Sequence, residues 1–201
     1  MKLHIVTRYV SEKDESLRRC YTSIQYSLPG QIDWEWYLVG KGVLRKVKDI
    51  PNVQRIEAPV KPQNDWGYLI NLYLDVVPNE GQLIYFLDGD NLLHRRFSEA
   101  VLSIRPDFVM MVMDQEVGKD QQVRHGKPEN LVVQKIDIGQ VIFSREFIKG
   151  LRTWSIYRND GYFIQELSIL AREYGKSIQF FGEVASCYNA QLWKIDSTSQ
   201  H

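Results

Sequence analysis

The six residues 82–87 (QLIYFL) are almost wholly apolar and stop abruptly at Asp88-Gly89-Asp90-Asn91. A strand with one wet face alternates apolar and polar residues. A continuous run means that both faces are covered, as in a parallel sheet between helices. The rest of the chain offers the layers this demands. Leu3, Ile5 and Val6 begin a strand that ends in Thr7-Arg8-Tyr9. Leu17, Cys20, Tyr21, Ile24 and Leu28 then mark one buried helix face, with Asp14 or Ser16 to cap it and Pro29-Gly30 to stop it. Aromatic and β-branched residues at 34–39 predict a second strand ending at Gly40, and a short basic helix and a strand at 53–56 follow. The helix expected over 66–77 is apolar nearly all round, which predicts a sandwiched position. The order β-α-β-α-β-α-β predicts an α/β domain: a Rossmann-like, mostly parallel open sheet with right-handed crossovers and helices on both faces. Further strands are expected at 108–113, 141–143 and 177–181, a helix at 160–174, and a loop or hairpin arm across the polar stretch 114–135.

With 201 residues, 44% of them apolar, the chain can build one such domain with a proper core. Basic and acidic residues balance at 25 each, which argues against a nucleic-acid partner. The densest basic stretch, Lys41 to Lys48, reads as a solvated helix face, and contact with anionic lipid is the other reading. Cys20 and Cys187 form neither a disulfide framework nor a zinc spacing, and Cys20 on its apolar helix stripe predicts a buried thiol. No signal-like segment precedes the first strand, and no apolar run approaches the roughly 18 residues that span a bilayer. The expectation is a cytoplasmic protein, with peripheral contact at the inner membrane face left open.

Ligands of open parallel sheets bind beyond the carboxyl ends of the strands, where Asp88 and Asp90 stand. Two carboxylates flanking one glycine can point the same way out of a tight turn. They offer hard oxygen ligands to Mg2+ or Mn2+ and leave positions for phosphate oxygens, and the cation offsets charge on a departing diphosphate. An ordinary Asp-Gly turn is the plain alternative. Two rivals fail on spacing. An EF-hand needs an oxygen ligand and a glycine where Leu92 and Leu93 stand. A haloacid-dehalogenase turn would read Asp-x-Asp-Gly-Thr after the first strand, and here Asn91 and Leu92 occupy the Gly and Thr places after the fourth.

YFLDGDNLLH (85–94) resembles the metal-binding segment of GT-A glycosyltransferases, in particular the FLDDDN-x-x-H form of small bacterial family-2-like members. GYLINLYLD (67–75) is similar to the helix that precedes the metal strand in such enzymes. NDGYFIQEL (159–167) is similar to their late acidic segment, and IDIGQVIFSREFI (136–148) to the stretch flanking the donor sugar. The resemblance implies a single GT-A domain over residues 1–195, with a nucleotide-binding half of about 1–92, an acceptor half of about 93–195 and a flexible tail at 196–201. It implies a metal-dependent, inverting transfer of a sugar from a nucleotide-diphosphate sugar to a hydroxyl. Carried over by position, Asp90 is the direct metal ligand and Asp88 touches the ribose or the metal. Asp160 is the general base, a role compatible with capping its own helix. Thr7, Arg8 and Tyr9 line the nucleotide site, Asn71 orients the donor, and Asp137 and Gly139 approach the sugar. Mn2+ or Mg2+ is the implied cofactor, a UDP-sugar the implied donor, and a carbohydrate or lipid-linked molecule the implied acceptor.

Departures from the family pattern shape these expectations. The second strand ends Val39-Gly40-Lys41, without the carboxylates that usually hold uracil. The usual Glu-Asp pair reads Asn159-Asp160, and no Gln-x-x-Arg-Trp follows, which argues against processive synthesis. His94, just past the turn, reads as a helix-entry contact before a diphosphate contact, and His125 as a loop residue. Tyr188 and Asn189 lie where some relatives place a third metal ligand. Two other readings stay open: a sugar-phosphate nucleotidyltransferase, although Thr7 to Ser11 lacks the glycine loop that class needs, and a catalytically silent nucleotide-sugar module or assembly subunit. Self-association stays open as well.

Overall fold

The computed structural model describes residues 2–9, 14–59, 66–78, 82–118, 121–132, 135–149 and 160–188; the side chains of Trp66, Lys149 and Asp160 fall outside that description. In chain order the elements are β1 (Lys2–Tyr9), α1 (Asp14–Ser27), β2 (Asp33–Gly40), β3 (Val53–Glu57), α2 (Trp66–Val76), β4 (Leu83–Phe86), β5 (Leu92–Leu93) and α3 (Phe97–Leu102). They continue with β6 (Phe108–Val117), β7 (Gln122–Arg124), β8 (Val141–Ser144), α4 (Arg145–Lys149), α5 (Asp160–Glu173) and β9 (Ser177–Tyr188). One sheet runs in the order β3-β2-β1-β4-β8-β6-β9-β5, with β7 paired to β6. β1, β2, β3 and β4 are parallel to their neighbours among themselves, and β6 is parallel to β9. β8 is inserted antiparallel between β4 and β6. Most of the paired length is parallel, and the domain is a mixed α/β fold with helices on both faces.

Alternate residues of β4 feed two cores, which is why the strand reads as a continuous apolar run. Leu83 and Tyr85 join Leu17, Cys20 and Ile24 of α1 and Phe97 of α3. Ile84 and Phe86 join Leu69, Ile70 and Tyr73 of α2 and Phe163, Ile164 and Leu167 of α5. Cys20 is fully buried, as its helix position predicts. α2 is not sandwiched: Val76 is 56% exposed and Asp75 faces solvent, so the second apolar side of this helix is surface. No helix among the described residues is long and apolar enough to cross a membrane.

Two segments differ from the sequence expectations for local reasons, and the hairpin arm expected within 114–135 is present. The basic stretch 41–48 makes one 3-10 turn, Val43–Arg45, because Val47 takes a positive φ of 38° and Arg55 binds the carbonyls of Lys46 and Val47. The polar stretch 114–135 contains a hairpin, with Gln115 opposite Arg124. β9 runs on to Tyr188 because exposed Gly182-Glu183 bulges out of register and pairing resumes at Val184 opposite Asp114.

Gly40, the last residue of β2, stands where the neighbouring strand leaves no room for a side chain. A Cβ there would lie 2.1 Å from the carbonyl oxygen of Tyr9 on the neighbouring strand. Gly40→Ala is expected to cost about 2 kcal/mol, the scale of overpacking a tight site, and to lower Tm by roughly 4–8 °C in thermal unfolding. An unchanged Tm would show that the strands open there without strain. Glu57, paired with Gly40 at the end of β3, accepts from the backbone N–H of Gly42 (2.6 Å) and Leu44 (3.3 Å).

Candidate functional site

β1 and β4 end side by side, and their last residues assemble one wall of a site. The Leu87 amide donates to Val6 at 3.0 Å, extending the ladder past β4. Thr7, fully buried, donates its hydroxyl to the Leu87 carbonyl (2.6 Å) and accepts from the Trp36 indole (2.9 Å). Its hydroxyl thus ties the end of β1 both to the end of β4 and to Trp36 of β2. Arg8 is 2% exposed and forks onto Asp88, Nε to Oδ1 at 3.1 Å and Nη2 to Oδ2 at 3.0 Å. This bidentate pair fixes the Asp88 carboxylate. Tyr9 is buried, with the Lys46 ammonium 5.6 Å above its ring and Asp14 3.0 Å from that ammonium. The three residues expected to line a nucleotide form the body of the wall, and Asp88 is what Arg8 presents.

The turn after β4 is closed by the Asn91 amide donating to the Asp88 carbonyl at 2.9 Å. Two layers hold it in place. The Leu93 amide donates to Ser23 of α1 (3.1 Å), and Leu92 and Leu93 pair with Cys187 and Ser186 of β9. His94 accepts at Nδ1 from the Arg96 amide at 3.3 Å, the helix-entry contact its position predicts. Burial first, then Arg95, pushes its pKa down. Asp90 is half-buried with no cationic partner among the described residues. Burial first, and the like charge of Asp88 second, raises its pKa. Such a carboxylate gains from a cation.

The opposite wall is a 3-10 turn, Ile138–Gln140, that precedes β8. Asp137 caps it by accepting from the Gly139 amide (2.8 Å), while Gln140 Oε1 accepts from the Asp137 amide (3.0 Å). Tyr85 and Ser186 both donate to the Gly139 carbonyl, at 2.6 and 2.7 Å. Gln140 Nε2 donates to the carbonyls of Met113 and Arg124, both at 3.1 Å, and so ties this turn to the β6–β7 hairpin. The hairpin is held again by Asp114, which pairs with His125 Nδ1 (2.8 Å) and accepts from the Gly126 amide (2.7 Å). Arg124 brings its guanidinium over the Tyr188 ring (5.5 Å) and within 3.7 Å of Asp137 Oδ2.

The walls converge: a Cβ on Gly139 would lie 3.7 Å from Nδ2 of Asn91 in the acidic turn, and Tyr188 lies in the field of both. Its hydroxyl pKa is raised by burial first and then by Asp137, Asp90 and Asp88, with Arg124 acting in the opposite sense. Three carboxylates from two distant segments therefore share one electrostatic environment. Asn71 is half-buried on α2, outside both cores. α5 begins at Asp160, the candidate base, whose side chain lies outside the described residues. Arg145, in the stretch likened to donor-sugar segments, points elsewhere: its guanidinium binds the Leu74 and Val77 carbonyls at the end of α2 and Gln82 before β4. Arg124, Gln115, Gln140 and Ser186 had no sequence signal, since each is an ordinary polar residue until the fold gathers them. A cavity of about 490 Å³ opens at the other end of the sheet, lined by Phe108, Val109, Phe147, Tyr174 and Lys176, and none of the candidate residues reaches it.

Among the described residues no group of three or more His, Cys, Asp or Glu could enclose a metal ion. Asp88 and Asp90 fit the other mode of divalent-cation binding, in which one or two carboxylates hold the ion and phosphate oxygens and water complete its shell.

No protein-family model matches this chain, and no curated protein matches it. Solved structures do. The fold they share with this chain is a Rossmann-like α/β sheet. S. aureus TarS (residues 1–349) superimposes with a TM-score of 0.67 at 11% identity over 93% of this chain and 60% of that one. The same protein in complex with UDP-GlcNAc gives 0.67 at 12% identity, over 93% and 58%. The inositol-1-phosphate CTP transferase from T. maritima gives 0.58 at 11%, over 92% of this chain and 87% of that one. The chain thus spans under two thirds of the TarS chains, and identities this low establish the fold alone.

Proposed function

We propose that this protein is an inverting glycosyltransferase that moves a sugar from a nucleoside-diphosphate sugar, a UDP-sugar foremost, to a hydroxyl of a carbohydrate or lipid-linked acceptor. One observation carries the reading: a half-buried Asp90 without a cationic partner among the described residues, beside an Asp88 oriented by Arg8, beyond the carboxyl ends of β1 and β4. Asp90 and Asp88 would hold a Mn2+ or Mg2+ ion, which when bound offsets charge on the departing diphosphate. Asp137 and Gly139 form the turn that faces the sugar. Asp160, at the start of α5, takes the proton of the acceptor hydroxyl as that oxygen attacks the anomeric carbon. UDP-GlcNAc in the related TarS fold supports the donor class. The CTP transferase neighbour favours a second reading, nucleotidyl transfer, but residues 7–11 contain no glycine with which to cradle a triphosphate.

Calorimetric titration of UDP, CDP and GDP, with Mn2+ and with EDTA, tests the binding half of this reading. Affinity for at least one of them is expected to rise about tenfold or more with Mn2+, a gain of about 1.4 kcal/mol. Equal affinity in EDTA would overturn the metal assignment, and no binding in either condition would overturn the donor assignment. Binding without turnover of any sugar donor would identify a silent module.

A further inference from the structure

We propose that Arg124 grips the diphosphate of the donor, at the phosphate that carries the negative charge when the sugar leaves; this rests on the reading above that the site takes a nucleoside diphosphate. Two guanidiniums among the described residues reach the site. Arg8 is buried and commits Nε and Nη2 to Asp88, so its task is to fix a carboxylate. Arg124 is held differently. Its Nη1 donates to Gln115 Oε1 at 3.2 Å, its plane is packed over the Tyr188 ring, and its side chain remains 32% exposed. Its contact to Asp137 is long, 3.7 Å, and the other oxygen of Asp137 already accepts from the Gly139 amide. Nε and Nη2 of Arg124 have no partner among the described residues. The group is oriented on one edge and across one face, and its other edge is left for an anion.

The chain's structural arginines behave otherwise. Arg145 is completely buried and spends donors on the Leu74 and Val77 carbonyls, and Arg55 spends its own on the carbonyls of Lys46, Val47 and Val53. Arg124 caps no helix and closes no loop. A planar fork with two open donors beside a carboxylate turn suits bidentate recognition of phosphate. Asp88, Asp90 and Asp137 alone would repel a diphosphate, and Arg124 lowers that repulsion where the bond to the sugar breaks. Gln115 and Tyr188 fix the angle of approach.

Comparison of a nucleoside diphosphate with its monophosphate isolates this contact. Dissociation constants are measured in Mn2+ for UDP and UMP, or for the CDP/CMP or GDP/GMP pair if that base is preferred, on wild type, Arg124→Gln and Arg124→Lys. In Arg124→Gln the diphosphate is expected to weaken about tenfold to a hundredfold and the monophosphate by less than about twofold, with Arg124→Lys in between. Monophosphate binding doubles as the control that the variant is folded. Equal losses for both nucleotides, or no loss for either, would overturn the assignment while leaving the donor reading standing. A wild-type protein that binds none of the nucleotides would overturn the donor reading first, and this contact with it.

Discussion

Asp90→Asn is expected to abolish the Mn2+ dependence of nucleotide binding and to reduce sugar transfer by about 10²–10³-fold, while Asp160→Asn slows turnover by about 10²–10⁴-fold and leaves nucleotide affinity within about twofold. The two variants separate because the residues act on different partners. In the reading proposed above, Asp90 would act on the diphosphate end of the donor through the cation, and Asp160 on the acceptor. The structure adds a constraint that a simple loss of fold would violate. Asp90 is destabilised where it stands, by burial and by Asp88, so the folded protein holds it less comfortably as an anion than the unfolded chain does. Removing that charge relieves like-charge repulsion, and the metal-free Tm of Asp90→Asn is expected to equal or exceed that of wild type. A variant that melts earlier than wild type, or one that keeps Mn2+-dependent binding, counts against the role given to Asp90. Donor hydrolysis and transfer assays on Asp160→Asn decide the other half: unchanged turnover removes Asp160 from the chemistry and leaves it as a helix-start residue.

Acidification is expected to cost about 3 kcal/mol of stability between pH 7 and pH 4 through His4 alone. His4 is 1% exposed near the amino end of β1, far from the acidic turn. Its Nδ1 lies 2.6 Å from the Tyr73 hydroxyl, and Arg145 Nη1 lies 3.3 Å from the same oxygen. A guanidinium only donates, so the Tyr73 oxygen accepts from Arg145 and gives its own proton to His4. His4 is then the neutral Nε2–H tautomer, with that N–H 3.6 Å from Glu35. Burial lowers its pKa to about 4, with Arg145 and Lys2 acting in the same sense and Glu35 and Asp33 opposing them. A second proton would set donor against donor at Tyr73. The folded pKa lies below the unfolded value of 6.5, so the contribution is whole above pH 6.5 and is lost as pH falls toward 4. The difference of about 2.5 units gives the 3 kcal/mol.

Glu35 adds to the same slope. Burial would raise its pKa, but hydrogen bonds from Lys2 and Tyr37 outweigh that and hold it low, so its stabilisation is also lost in acid. His4→Gln isolates the histidine: urea unfolding at several pH values should show a flatter profile between pH 6.5 and 4 than wild type. Parallel profiles would mean that His4 titrates alike in the folded and the unfolded protein, and would overturn the lowered pKa.

Legibility in the sequence followed locality. The helix stripe Leu17, Cys20, Tyr21, Ile24 was readable because a helix repeats its buried face every three to four residues. β4 and the turn after it were readable because one run of six residues carries both the burial and the stop. β5, α3 and α4 are two, six and five residues long, too short for periodicity to emerge. The reversal of β8 had no signal, because an apolar strand looks the same in either direction. The sandwiched position expected of α2 failed for a related reason: apolar content alone does not say which side meets the sheet.

The amino-acid sequence by itself determined the layered α/β architecture and the place of an acidic turn beyond a doubly buried strand, because periodicity and run length are properties of neighbouring residues. Only the tertiary structure decided what surrounds that turn. Arg8 meets Asp88 across 80 positions of chain and Ser186 meets Gly139 across 47. Contacts of that span exist once the sheet order is set, since strand pairing, not sequence distance, determines which side chains face one another.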